Sequence, residues 1–163
     1  MNDKTAYEIE RKYLIEYPDI AALERLASRK IEMVQTYLIP NDGKKMRIRS
    51  CLENGKYTYV KTVKKTVTAL RRLETEGEMT ETEYLALLNS DIPKRQLTKT
   101  RYCVNYKNQC FEVDIYPFWA DRAIMEIELS HESDKIEFPE FITIKKEVSE
   151  EKTYRNFSLA KQI

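Results

Sequence analysis

Apolar and polar positions alternate with a period of two over most of the chain, the pattern of strands whose two faces meet different surroundings. In Ala6–Ile15 (AYEIERKYLI), Glu8, Glu10 and Lys12 share one face while Tyr7, Ile9, Tyr13 and Ile15 fall largely on the other. Arg47 and Arg49 alternate with Met46 and Ile48, Tyr59 and Lys61 with Val60, and Lys99 and Arg101 with Tyr102 and Val104. Farther on, Glu112 and Asp114 alternate with Phe111, Val113 and Ile115, and Glu126 and Glu128 with Met125, Ile127 and Leu129. Arg72, Glu74 and Glu76 share a face of Arg71–Met79, opposite a less apolar one. With the runs Gln35–Ile39 and Phe141–Val148, the pattern predicts about eight strands, the number at which a sheet can close into a barrel.

Turn chemistry separates these runs. Asp42-Gly43 and Asn54-Gly55 are hairpin signals, and Lys107-Asn-Gln109 makes a third short turn. Helical spacing interrupts the series in three places. Pro18 suits a first helical position ahead of the stripe Ile20, Leu23, Ala27. Thr80-Glu-Thr-Glu83 is a capping box leading into Tyr84, Leu87 and Leu88. A short third helix is expected over Thr153 to Ala160.

An ordinary amphipathic sheet, with its charges in water, is the commoner meaning of such alternation. Two features favour another arrangement. Like charges repeat at i and i+2 within single strands, which is costly unless something of opposite charge lies between them. Acidic and basic pairs also occupy different strands, so closure would gather them around one lumen. The expected fold is therefore mainly β (α+β): one domain over residues 1–163, an eight-stranded antiparallel closed tunnel barrel with a charged, hydrophilic interior and a few surface helices. Such a lumen must be wet, because dry burial of many ions is prohibitive.

Composition narrows the partners. In 163 residues, 28 Lys and Arg balance 27 Asp and Glu, so no global field favours nucleic acid or an anionic membrane. No apolar run reaches the length of a membrane span, and the opening MNDKTAYE lacks the apolar stretch of a signal peptide, which points to the cytoplasm. A transmembrane barrel is disfavoured as well by the interrupting helices and the lack of aromatic girdles. Cys51, Cys103 and Cys110 are odd in number and show no metal-ligand spacing, consistent with reduced thiols. His131, the sole histidine, reads as a loop residue and Trp119 as a rim residue. Converging Lys and Arg suit phosphate oxygens, and clustered carboxylates suit Mg²⁺ or Mn²⁺. Both in one tunnel describe a polyphosphate held with its metal ions.

These residues resemble the CYTH superfamily, the triphosphate tunnel metalloenzymes, in its short prokaryotic form. Glu8-Ile-Glu-Arg-Lys12 is similar to its ExExK signature, and Gln35-Thr-Tyr-Leu38, Arg47-Ile-Arg49, Lys61, Arg72-Leu-Glu-Thr-Glu76, Lys99 with Arg101, Glu112-Val-Asp114 and Glu126-Ile-Glu128 follow in the family order. Lys146-Glu-Val-Ser149 and Tyr154-Arg-Asn156 resemble its closing segment. The resemblance implies phosphate binding by Lys12, Arg47, Arg49, Lys61, Lys99, Arg101 and Lys146, with Lys145 competing for the last place. It implies metal ligands among Glu8, Glu10, Asp114, Glu126 and Glu128, for one or two Mg²⁺ or Mn²⁺ ions. Glu74, Glu76 and Glu112 are supporting candidates, and Lys64 and Lys65 are expected in a solvated loop. Catalysis would centre on Glu8, Glu10, Lys12 and Lys61, with Tyr37 as an accessory to Lys61.

The implied reaction is hydrolysis of a triphosphate, with inorganic triphosphate yielding pyrophosphate and phosphate as the first expectation. The short chain offers little material for a base pocket. The alternatives are a thiamine or nucleoside triphosphatase, a class IV-type adenylate cyclase, and a noncatalytic polyphosphate-binding module. The expected partner is a small-molecule triphosphate, without nucleic acid or membrane, for a monomer or homodimer. The last helix is placed where it could plug one end of the tunnel.

Overall fold

The computed structural model describes residues 3–163. Strand β1 (Lys4–Glu16) and helix α1 (Ile20–Leu26) precede β2 (Arg29–Leu38), β3 (Met46–Glu53), β4 (Lys56–Thr66) and β5 (Arg71–Met79). Helix α2 (Glu81–Leu88) leads to β6 (Lys94–Tyr106), β7 (Gln109–Ile115) and β8 (Arg122–Glu128). Two short strands, β9 (Ile144–Glu147) and β10 (Lys161–Gln162), flank a 3-10 turn over Lys152–Tyr154 and the single-turn helix α3 (Asn156–Leu159).

Eight strands close into an antiparallel ring in the order β6, β2, β3, β4, β5, β1, β8, β7, and the β6–β7 hairpin completes the circle. β9 and β10 pair with β1 and β6 as additions to that ring. Two hairpins are set by positive φ at both central residues, which matches the twist of the flanking strands. These are Asn54 (51°) with Gly55 (76°), and Lys107 (47°) with Asn108 (62°).

Packing separates the two faces of the barrel. On the outside, α1 and the segment after β8 cover an apolar layer in which Phe111, Met125, Ile127 and Ile15 are buried with Leu23. Helix α2 seats Tyr84 against Leu38 and Ile48 on another part of the outer wall. Truncating one of these fully buried aromatics, such as Phe111, would cost about 3–5 kcal/mol. A third apolar cluster lies within the bore. Leu14, Leu97 and Ile124 are in register with lumen-facing neighbours, and Tyr116, Val148 and Ala160 close over them at one end of the barrel.

Several local expectations change. The cap of α1 is Asp19, whose side chain accepts a hydrogen bond from the Ala22 amide; Pro18 precedes the helix instead of starting it. Asp42-Gly43 belongs to a longer connection between β2 and β3, not a two-residue turn. In Phe141–Val148 the strand is confined to Ile144–Glu147, although the Glu16 amide also donates to Thr143 O and the Val148 amide to Lys12 O. The expected third helix splits at Arg155, whose extended backbone (φ −71°, ψ 143°) separates the 3-10 turn from α3. The capping box of α2 is present: the Glu83 amide donates to Thr80 Oγ1 at 3.1 Å and the Thr80 amide donates to Glu83 Oε2 at 2.8 Å.

Candidate functional site: a charged bore

Lumen-facing positions of all eight ring strands surround a cavity of about 590 Å³, one side of which is supplied by the C-terminal segment. Glu8, Glu10, Lys12, Arg47, Arg49, Arg101, Glu112, Glu126 and Glu128 all line it. Barrel geometry sets the opposition of charge. In the closed ring β3 and β8 lie four places apart, so Arg47 and Arg49 face Glu126 and Glu128 across the bore.

The carboxylate wall is crowded. Glu10 is directly opposite Glu128 on the β1–β8 ladder, and Glu112 is opposite Glu126 on β7–β8. Like charges in such positions repel. Burial, then the negative charge of Glu126, pushes the Glu10 carboxyl up to about 8, and burial with the charge of Glu8 raises Glu128. Burial and hydrogen bonding to Glu8 likewise raise Glu74 to about 8. Burial would raise Glu8 too, but the hydrogen bond with Glu74 and the Lys64 ammonium bring it down to about 2. Burial opposes ionisation of Glu126, yet Lys12 and Arg101 hold it well below the carboxylate range; the Lys12 Nζ lies 3.4 Å from Glu126 Oε1.

The facing wall has the opposite imbalance. The Nε atoms of Arg47, Arg49 and Arg155 are buried without a hydrogen-bond partner. Burial, then the neighbouring Arg47 charge, pushes the Arg49 guanidinium down to about 10. Glu76 answers only part of this charge, accepting from Arg49 Nη2 at 3.2 Å. Orphaned cationic donors on one side and crowded carboxylates on the other favour an occupant that is an anion on the arginine side and a cation on the carboxylate side.

Glu8, Glu10, Glu126 and Glu128 offer hard oxygen donors, but among the described residues no three of His, Cys, Asp and Glu close into a ready-made metal cage. That donor set fits Mg²⁺ or Mn²⁺, which bind through a few carboxylates and take further oxygens from water and phosphate. A zinc site would need the imidazole or thiolate donors that are missing here.

Some expected site residues lie elsewhere. Lys61 is opposite Ile48, on the outer face, whereas Thr62 and Lys64, the next positions on the other face, line the cavity. The hydrogen-bonding place expected for Lys61 thus falls to Lys64, which lies 3.0 Å from Glu8 and 3.5 Å from Glu74. The turn at Asn54-Gly55 carries the signal for this register: it pairs Glu53 with Lys56, and therefore Arg47 with Thr62. Tyr37 does line the cavity, but its hydroxyl meets Gln35 Nε2 at 3.2 Å and not Lys61. Lys146 does not line the cavity; it pairs with Glu151 at 3.1 Å, and Lys145 is exposed. Lys99 and Asp114 are buried together behind the lumen surface, with Lys99 Nζ donating to Asp114 Oδ2 at 2.8 Å. Burial, then the Arg101 charge, lowers Lys99 to about 8.

The C-terminal segment supplies Lys152, Arg155 and Phe157, which alternation could not place because the segment is irregular. Phe157 carries the Lys45 ammonium 3.9 Å and the Arg95 guanidinium 4.8 Å from its ring centroid, with Tyr37 at its edge. Trp119 packs into the apolar plug, against Tyr116 and Tyr154. His131 lies in the exposed loop after β8, where its amide donates to Asp134 Oδ2.

A closed antiparallel barrel with paired charges of both signs in its bore defines a charged-tunnel fold. The CYTH domain profile matches residues 6–161, so the chain belongs to the CYTH domain family. No curated protein matches it at a significant level of sequence similarity. Among solved structures, the inorganic triphosphatase NE1496 is similar over 94% of this chain and 93% of that one, with a TM-score of 0.52 and 24% identity. The PH1819 protein from Pyrococcus horikoshii OT3 is similar over 77% of this chain and 80% of that one, with a TM-score of 0.52 and 19% identity. At these identities the likeness is one of fold.

Proposed function

We propose that this protein hydrolyses inorganic triphosphate to pyrophosphate and phosphate with Mg²⁺ or Mn²⁺. The observation that carries the proposal is the set of buried, partnerless Nε donors on Arg47, Arg49 and Arg155, which line one cavity together with the carboxylates of β1 and β8. Guanidinium forks match phosphate oxygens in pairs, so these three residues hold the polyphosphate chain in a fixed line. Glu8, Glu10, Glu126 and Glu128 would hold the divalent ion. When bound, such an ion offsets the charge gathering on phosphate oxygens and lowers the pKa of a bound water.

Hydrolysis joins a water oxygen to the terminal phosphorus and breaks the bridging P–O bond, with pyrophosphate leaving and the water proton passing to a carboxylate of the wall. Lys12 lines the cavity beside Glu126 and is placed to offset charge on the transferred phosphoryl or the leaving oxygen. No nucleophilic side chain is needed. The engagement of Phe157 by Lys45 and Arg95 favours a substrate without a base, since stacking on that ring would displace a cation.

The test is phosphate release from tripolyphosphate, thiamine triphosphate and ATP, with Mg²⁺ or Mn²⁺, and cyclic AMP formation from ATP. Tripolyphosphate is expected to be turned over fastest, and Glu126→Gln/Glu128→Gln to abolish the metal-dependent rate. Tight tripolyphosphate binding without turnover under every metal condition would reduce the protein to a binding module. Full rate in Lys12→Ala would remove the role given to that lysine.

A further inference from the structure

Some cations of the cavity lining have an acidic partner and some have none. Lys12 pairs with Glu126, Arg49 with Glu76, Lys64 with Glu8 and Arg72 with Glu10. Among the described residues, Lys45, Arg47, Lys152 and Arg155 line the same cavity with no carboxylate in ion-pair contact. They belong to the start of β3 and to the C-terminal segment, and Lys45, Lys152 and Ser158 are exposed, so the cavity meets solvent here. Lys45 continues the alternation of Arg49 and Arg47 by one more step outward, about 7 Å along the strand. Its backbone is set by the preceding connection, where the Lys44 amide donates to Asp42 Oδ1 at 2.9 Å and the Lys45 amide to Gly43 O at 3.1 Å. The Lys45 ammonium rests 3.9 Å from the centroid of the Phe157 ring. That ring is fixed in turn: it stands nearly perpendicular to Tyr37, with centroids 5.4 Å apart, and lies close to Arg95, whose guanidinium donates to the carbonyls of Ala160 and Ser158.

We propose that Lys45, Lys152 and Arg155 form an anion subsite at this mouth for the phosphate group farthest from the carboxylates, that Phe157 is the positioning residue for the Lys45 ammonium, and that the Lys45–Phe157 pair sets a preference for an unesterified chain end. The face of an aromatic ring attracts an ammonium without neutralising its charge, so Lys45 is held in place and stays available to an anion. A carboxylate in the place of Phe157 would hold it too, but would cancel the charge. The far end of inorganic triphosphate is a terminal phosphate with all its ionisable oxygens. In thiamine triphosphate or ATP the corresponding phosphate is an ester, so one ionisable oxygen is lost and an organic group has to leave through the mouth past Lys45. Such a group would gain a stacking surface on Phe157 only by displacing the cations that Phe157 already carries.

This inference rests on the phosphohydrolase reading, and a binding measurement that needs no turnover separates the two. Binding of tripolyphosphate and of ATP is followed by calorimetry with a chelator present, beside steady-state phosphate release with Mn²⁺. Lys45→Met should weaken tripolyphosphate binding by about tenfold, as expected for a lost hydrogen bond between charged groups, and raise its KM while kcat holds. ATP binding should change by no more than about twofold, so the preference for the inorganic chain narrows. Phe157→Leu should weaken tripolyphosphate binding by about two- to fivefold, the size of an exposed cation–π contact, and Phe157→Tyr, which keeps the ring, should restore it. In a Lys45→Met background Phe157→Leu should add nothing, because it acts through that ammonium. Circular dichroism checks folding, and Lys45→Met, a change at an exposed residue, carries the test if Phe157→Leu does not fold. Equal losses for tripolyphosphate and ATP in Lys45→Met would overturn the inference, as would an undiminished effect of Phe157→Leu in the Lys45→Met background. Unchanged tripolyphosphate binding in Lys45→Met with normal turnover would overturn it and leave the proposed function standing. Binding that follows the expected pattern without turnover under any metal condition would sink the proposed function and leave the subsite standing.

Discussion

Two lysines three positions apart on one strand have opposite fates here. Lys61 lies on the outer face of β4 and Lys64 in the bore, where its ammonium bridges Glu8 and Glu74. Lys61→Ala should therefore change kcat/KM by no more than about twofold, as expected of a surface substitution. Lys64→Ala leaves two carboxylates without their shared cation and should cost at least about tenfold, within the range for hydrogen bonds to charged groups. Steady-state phosphate release on the two variants decides the point; equal losses would mean that Lys61 reaches the substrate. On the anion side, Arg49→Met should raise KM for tripolyphosphate and lower kcat/KM by roughly 10- to 100-fold, the equivalent of about 1.5–3 kcal/mol. The charge at Arg47 and Arg49 was legible in the chain, because both belong to a clean alternation with Met46 and Ile48. Lys64 was not, because β4 mixes polar and apolar residues on both faces and its orientation is set by the turn at Asn54-Gly55.

Among the elements, local chemistry fixed the regular pieces and missed the irregular ones. The capping box at Thr80 starts α2 because hydroxyl and carboxylate satisfy amides that the first helical turn cannot. Thr80→Ala should lose about 1 kcal/mol, lowering Tm by roughly 2–4 °C. Its kcat/KM should stay at the wild-type value, since α2 packs on the outer face through Tyr84. Thermal melts and kinetics on the same preparation test both halves of that expectation. The C-terminal segment is the contrasting case. It has no periodicity strong enough to predict a face, and its position comes from distant contacts: Arg95 Nε donating to Ala160 O at 3.0 Å, the Tyr116 hydroxyl meeting Asn156, and Phe157 under two cations. The residues it adds to the cavity, Arg155 foremost, therefore had no local signature.

Across the whole molecule the bore stores opposed charge, and proton binding should report it. Glu10 and Glu74, raised to about 8 in the protein without a cation, bind protons that the unfolded chain releases near its ordinary carboxylate pKa of 4.5. Their contribution to stability is complete below that value and is lost as pH rises through about 8. Glu8, lowered to about 2, acts in the opposite sense: its contribution is present above 4.5 and is lost as pH falls through about 2. The metal-free protein should thus lose Tm between neutral and mildly alkaline pH. A saturating divalent cation should reverse that loss and release protons on binding, measurable by calorimetry in buffers of different ionisation enthalpy. A Tm that is flat from pH 6 to 9 with and without Mn²⁺ would contradict the carboxylate crowding.

The sequence alone determined which residues share a strand face, where the tight turns fall and which helix is capped, because each follows from covalent geometry and hydrogen bonds among near neighbours. It also determined that the charged face recurs from strand to strand. Only the tertiary structure decided which charges meet. β1 joins β5 and β8, and β6 joins β2 and β7, so pairing between segments far apart in the chain sets Arg47 against Glu126, gives Asp114 to Arg101 and Lys99, and stops one end of the bore with Leu14, Leu97 and Ile124. Alternation fixes the side of a sheet on which a charge stands; its partner, its solvation and hence its chemistry depend on distances that exist only after the ring has closed.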